Sequence, residues 1–433
     1  GSEMCIRDRS LTEKGYKERL IDKKIDRYLD TFGAVLIEGP KWCGKTWTAL
    51  NHAESAAYVT ETSTKRLALI NPKNIFSDKR PQLIDEWQIV PAIWDSVRHE
   101  CDRGKGPGNF ILTGSTTLRK DTTKKQIYHS GAGRIARLKM ETMSLYESGD
   151  STGEVAISDM LDNKDISKHI REIDLKQIAH LIIRGGWPES LKIKEENYSL
   201  IPKSYIDSIL NVEIEEEKAR DKNKMNMLLK SLARNESTIA SNKTLIKDIE
   251  EYETGNDLLT SRTTLLDYLD FLERLHLIEN QESYSSNYRS PERVGKSVKR
   301  HLVDPSLACS LLNLNVDRLM KDLNTFGFLF EALAERDLRI YMDYLDGKLY
   351  HFRDNVSGLE VDSILEFEDG EYAAVEIKLG YNEVDDAIKN LKEFYNNMSK
   401  KPKFMCVIVG VLEAAYKDPD TSIYIVPLTA LRP

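Results

Sequence analysis

The eight residues GPKWCGKT at 39–46 limit what this chain can fold into more than any other stretch. They fit the pattern G-x-x-x-x-G-K-[ST]. The apolar run AVLIE at 34–38 precedes them, and TWTALNHA at 46–53, which reads as helix, follows. Gly39 and Gly44 let the backbone curl until successive N–H groups face one anion. The helix behind the loop adds its positive end. Lys45 is then expected to reach the β- and γ-phosphates of a nucleotide, and the Thr46 hydroxyl to ligate Mg²⁺. Pro40, Lys41, Trp42 and Cys43 complete the loop that would wrap the phosphates. A chance turn is the competing reading, and the strand and helix on either side argue against it.

A phosphate cradle needs a partner strand that holds the metal and positions water. PQLIDEWQIVP at 81–91 supplies one: Leu83 and Ile84 lead into Asp85, expected at the metal's water shell, and Glu86, expected to polarise the attacking water. The apolar lead-in is short, because Gln82 stands where an apolar residue is usual. A further strand, NFILTGS at 109–115, ends in polar residues. Ligand-facing groups of a parallel α/β sheet lie at strand carboxyl ends, so Thr113 and Ser115 are candidates to sense the γ-phosphate. HSGAGRIARLKM at 129–140 then offers Arg134 and Arg137, either as an arginine placed against a neighbouring subunit's phosphate or as part of a solvated basic strand.

In the order P-loop, LIDEWQIVP, FILTGS, GAGRIARL and IIRGGWPES at 182–190, the chain resembles an AAA-type ATPase family of bacteria and archaea whose C-terminal region is of unknown function. The resemblance runs from about residue 20 over nearly the whole chain. It implies an α/β P-loop AAA-type core with a helical lid, ATP and Mg²⁺ as cofactors, and assembly into a homo-oligomer. By the same resemblance Arg184 falls where the lid begins, either touching nucleotide or bracing the Gly185–Gly186 turn. The stretch RLKMETMSL lacks a proline expected there, which leaves the choice between Arg134 and Arg137 open.

With 433 residues the chain has room for two or three domains. Its net charge of −8 gives no global field toward nucleic acid, so any such contact needs a local patch. Five scattered cysteines without a CxxC pair argue against a disulfide framework or zinc site and fit a reducing cytoplasm. The longest apolar run, FMCVIVGVL at 404–412, is too short to span a membrane, and no membrane role is expected. The opening GSEMCIRDRS reads as foreign to the fold.

The middle of the chain changes texture. NVEIEEEKARDKNK at 211–224 reads as a solvated helix face. Three amphipathic helices, MNMLLKSLA, KTLIKDIEEY and TSRTTLLDYLDFLERLHLI, precede a stretch at 279–304 able to form two strands and a loop. That order predicts a winged-helix-like module. Its basic wing would hold Arg289, Arg293, Lys296, Lys299 and Arg300 with Tyr284 and Tyr288 between, and would either contact DNA or simply pack domains together.

Near the C-terminus, AAVEIKLG at 373–380 reads as a strand on which Glu376 and Lys378 share a face. Upstream lie a helix, FGFLFEALAERDLRIY at 326–341, which carries Glu331, and a hairpin whose second strand, LEVDSILEF, carries Asp362. A helix, EVDDAIKNLKEFY, follows. This succession resembles the PD-(D/E)xK superfamily, with valine where the name has proline. The resemblance implies a restriction-endonuclease-like α/β domain in which Asp362 and Glu376 bind Mg²⁺, Glu331 completes the acidic cluster, and Lys378 activates water and stabilises phosphorane charge. The competing reading is a weak surface pair.

The expected division is therefore an extension at 1–19, a P-loop core at 20–160, a helical lid at 161–220, a winged-helix-like module at 221–305 and a nuclease-like domain at 306–433. The expected function couples ATP hydrolysis to DNA binding or Mg²⁺-dependent DNA processing. The alternative is a signalling or scaffold ATPase whose last domain binds a partner without cutting.

Overall fold

The computed structural model describes residues 11–104, 106–116, 132–171, 173–213, 221–250, 261–285 and 298–433. It divides into two compact units, one of residues 1–142 with 274–276, the other of 143–273 and 277–433. Among the described residues no helix is long and apolar enough to cross a membrane.

The first unit is built on a parallel five-stranded sheet. Its strands are β1 (Ala34–Glu38), β2 (Ser55–Tyr58), β3 (Gln82–Asp85), β4 (Phe110–Gly114) and β5 (Ile135–Lys139), in the spatial order β2-β3-β4-β1-β5. Side chains alternate between two cores. Leu36, Ile84, Phe110 and Leu112 enter one, and Val35, Ile37, Leu83 and Ile111 the other. Burial on both faces is why these strands read as continuous apolar runs. Each fully buried aliphatic side chain contributes about 1.5–3 kcal/mol. Gln82, the polar residue in that pattern, is buried but satisfied: its amide donates to the Ile75 carbonyl (2.7 Å) and accepts from the Ser77 N–H (2.9 Å).

Residues 11–19, expected to be an extension, belong to this unit. The Arg19 guanidinium donates to the carbonyls of Cys43 (2.8 Å) and Glu141 (2.9 Å). The Tyr16 hydroxyl donates to Asp22 (2.7 Å). Residues 1–10 lie outside the described part.

The second unit holds a seven-stranded mixed sheet. Its central strands are β10 (Lys348–Arg353), β11 (Glu360–Glu366), β12 (Tyr372–Lys378) and β13 (Phe404–Val409). The first three are antiparallel neighbours, and β12 runs parallel to β13. Beyond them lie β15 (Tyr424–Pro427), β14 (Ala414–Lys417) and β7 (Lys168–His169). The helices Leu323–Tyr344 and Val384–Asn397 pack against the sheet.

Two domain boundaries differ from expectation. The core ends at Thr142, not near residue 160, because β6 (Val155–Ala156) pairs with β16 (Leu431–Arg432) and β7 pairs with β14. These long-range pairings draw residues 143–169 into the second unit. The expected lid is likewise tied to later sequence within that unit. The Gly186 N–H donates to Asp304 (3.0 Å) and the Trp187 indole to Ser306 (3.0 Å). Gly185 has φ +69°, and a Cβ there would meet the Ser306 hydroxyl oxygen at 2.4 Å, so the turn demands glycine.

The middle segment contains helices Lys222–Arg234, Asn242–Glu250 and Arg262–Arg274, then an antiparallel pair, β8 (Ile278–Gln281) and β9 (Lys299–Leu302). Arg289, Arg293, Lys296 and Tyr288 of the expected wing lie outside the described residues, as do residues 214–220 of the charge run. The other three wing residues are not on an exposed basic surface. Tyr284 sits in the core of the C-terminal sheet, Lys299 is 5% exposed, and Arg300 donates to the Ala240 carbonyl (2.7 Å) and Asn242 (2.8 Å).

Candidate nucleotide and metal sites

β4 lies between β1 and β3, so the loop after β1, Asp85 and Thr113 meet at the carboxyl edge of three adjacent strands. The loop is held tightly. A Cβ on Gly39 would come within 2.1 Å of the Met140 carbonyl oxygen, and Gly44 has φ +102°. Both are positions for glycine. The Lys45 ammonium is buried and donates to the carbonyls of Gly39 (2.9 Å) and Pro40 (2.7 Å). Of the other loop residues, Lys41 is half-buried, Cys43 is buried, and Trp42 is exposed with φ +62°.

Asp85 joins the three strands chemically. One carboxylate oxygen accepts from Thr46 (2.8 Å) and from Thr113 (2.7 Å). Burial pushes Asp85 above the usual carboxylate range, and these two hydroxyls pull the other way. Glu86 has the left-handed backbone conformation (φ +54°), with its N–H on the Thr113 hydroxyl (3.2 Å). Its carboxylate accepts from Ser115 (3.0 Å) and from Gln88. Residue Gln88 was not anticipated; as one polar side chain in a short helical turn it left no pattern in the sequence.

Arg134 directly precedes β5, and Arg137 is the middle residue of that strand. Arg137 pairs with Glu38 (3.2 Å), the residue before Gly39, and stacks 5.2 Å from the Trp94 ring. Arg134 pairs with Asp102 (2.7 Å) at the amino-terminal edge of the sheet. Both are about half exposed. Arg184, in the second unit, is buried, and its guanidinium donates to Asp150 (2.6 Å) and the Gly185 carbonyl (3.2 Å). Its guanidinium is thus engaged both by Asp150 and at the Gly185–Gly186 turn.

In the second unit, the β11–β12 register ends at Ser363 opposite Val375, and Asp362 and Glu376 are the residues that follow at that end of the pair. Lys378 bridges them, 2.9 Å from Glu376 and 3.6 Å from Asp362. Asp362 also accepts from the Ile377 N–H (2.8 Å), and Glu376 from Asn390 (3.0 Å) of the following helix. Asn390 too was missed, being one polar residue among many on a solvated helix. Burial, reinforced by Asp362, pushes Glu376 up to about 7. Burial opposes the charge on Lys378, but Asp362 and Glu376 outweigh it and hold the ammonium above the usual lysine range.

Glu331 does not complete this cluster as expected. It pairs with Lys299, which also pairs with Glu335 (2.6 Å). Among the described residues no group of three or more His, Cys, Asp or Glu is arranged to hold a metal. Two adjacent carboxylates remain, a donor set that suits Mg²⁺, which keeps several of its waters.

Residues 31–148 match the family model described as AAA domain. This segment is an AAA-type P-loop ATPase domain. Downstream of the AAA domain, residues 175–318 match a domain of unknown function (DUF8612) and 326–431 another (DUF4143). None of the curated proteins matches the chain. Similar solved structures include the Walker-type ATPase PABY2304 of Pyrococcus abyssi, at 12% identity and a TM-score of 0.41 over 70% of this chain and 99% of that one. The Aeropyrum pernix ORC1 protein, solved in complex with DNA, gives 14% and 0.28 over 72% and 94%. The Aeropyrum pernix ORC2 protein in its ADP form gives 13% and 0.27 over 76% and 99%.

Proposed function

We propose that the chain hydrolyses ATP at the P-loop and couples turnover to Mg²⁺-dependent action on DNA at the Asp362–Glu376–Lys378 cluster. The observation that carries the ATPase part is Asp85 accepting from both Thr46 and Thr113 beside the buried Lys45. In this reading the loop N–H groups and Lys45 hold the phosphates. Thr46 and Asp85 hold the Mg²⁺ and its water, Glu86 orients the attacking water, and Thr113 and Ser115 follow the γ-phosphate. Mg²⁺, when bound, neutralises charge on the phosphate oxygens. In the C-terminal cluster Asp362 and Glu376 hold a divalent cation, and Lys378 orients water against a phosphodiester.

The test is ATPase and strand scission by the full chain on single-stranded, double-stranded and branched DNA with Mg²⁺ or Mn²⁺. DNA-stimulated turnover and metal-dependent scission are expected. ATP turnover indifferent to every DNA, without scission, would replace this reading with a scaffold ATPase. One observation favours that second reading: with Glu331 engaged by Lys299, the acidic set is one carboxylate short of expectation.

Homo-oligomerisation belongs to the same proposal, with Arg134 or Arg137 acting across a subunit boundary. Turnover per subunit should then rise with protein concentration. Alanine at the acting arginine should lower it by about 10³-fold or more, and at the other arginine far less. A concentration-independent rate from a monomer in light scattering would contradict the trans arginine.

A further inference from the structure

Lys299 lies beside the Asp362–Glu376–Lys378 cluster and has a full set of oxygen partners. Its ammonium donates to Glu331, to Glu335 (2.6 Å) and to the backbone carbonyl of Asp362 (3.3 Å). An ammonium has three N–H donors, and here each has an acceptor. Two carboxylates and a carbonyl are also what a hard divalent cation takes. We propose that Lys299 is a built-in cation filling the second cation position of this cluster, so that the site formed by Asp362 and Glu376 takes one divalent ion. The inference rests on the reading that those two carboxylates hold a metal.

Geometry and charge agree. Asp362 joins the two positions, offering its carbonyl to Lys299 and its carboxylate to Lys378. Lys299 is on strand β9, paired opposite Gln281, whose amide donates to the Tyr350 carbonyl (2.8 Å). The lysine is thus tethered at both ends. Counted as ionised, Glu331, Glu335, Asp362 and Glu376 set four negative charges against the ammoniums of Lys299 and Lys378, an excess of two. One divalent ion balances them. Without Lys299 the excess is three, and a second ion is drawn to the vacated oxygens. Glu335 would stay in place, since Ser363 donates to it (3.2 Å) and His301 lies 3.0 Å away. A single cation cannot clamp both the attacking and the leaving oxygen. Lys378 must then serve one of them, which makes Lys299 a positioning residue that sets the kind of hydrolysis available.

Mn²⁺ titration of the nucleotide-free full chain, read as loss of the free-ion magnetic resonance signal, tests this. Four proteins are compared: wild type, Asp362→Asn, Lys299→Met and Glu331→Gln. Wild type should bind one Mn²⁺ that Asp362→Asn loses. Lys299→Met should bind one more. Glu331→Gln should keep the wild-type count, because Glu331 faces Lys299 rather than the metal. A folded Lys299→Met that gains no ion overturns the proposal, as does a Glu331→Gln that loses the Mn²⁺ outright, as Asp362→Asn does. If Lys299→Met does not fold, Glu331→Gln decides alone. A wild type with no Mn²⁺ dependent on Asp362 fails the metal reading itself, which is a different outcome from either.

Discussion

Lys45→Ala is expected to lower ATP turnover by roughly 10²-fold or more, since it removes the buried ammonium that donates to the loop carbonyls of Gly39 and Pro40. Glu86→Gln should behave differently. Its backbone N–H still reaches Thr113, and an amide can still accept from Ser115, so the loop keeps its shape and nucleotide still binds. Only the carboxylate facing the water is gone, and turnover should fall by about 10²–10⁴-fold. Equilibrium binding of a fluorescent ATP analogue, measured beside steady-state turnover, separates the two variants. Equal turnover in wild type and Glu86→Gln would contradict the role given to Glu86.

The AAA domain was legible in the sequence because its signals are local. A glycine-bounded loop, an acidic pair after two apolar residues and a strand with Thr113 near its end each occupy only a few consecutive residues. The sheet brings them together by placing β4 between β1 and β3, an order that no local pattern records. Arg19 was invisible for a related reason. It braces the loop through the carbonyls of Cys43 and Glu141, and carbonyls have no sequence identity.

The second unit shows where such reading fails. Lys299 looked like a wing residue because a lysine in a basic, turn-rich stretch is usually solvated. Its partners Glu331 and Glu335 lie on a helix 32 and 36 residues away, and the fold brings all three side chains together. Charge spacing within one strand was a better guide. Glu376 and Lys378 share a face as alternation requires, and the antiparallel register brings Asp362 beside them. The core boundary was misplaced because β6 and β7 pair with strands more than 200 residues later in the chain.

On the proposed function, Asp362 and Glu376 form a divalent-metal site of their own, apart from Thr46 and Asp85. Both carboxylates are crowded against each other and against burial, which is why Glu376 is pushed up to about 7. A bound cation relieves that crowding and stabilises the fold by mass action, by about 2.7 kcal/mol at a hundredfold excess over the dissociation constant. The most direct measurement is thermal unfolding of the full chain without nucleotide, with and without Mn²⁺, in wild type, Asp362→Asn and Asp85→Asn. Wild type and Asp85→Asn should show the same metal-dependent rise in Tm, and Asp362→Asn should show none. A rise that survives Asp362→Asn, or no rise in wild type, would contradict the account.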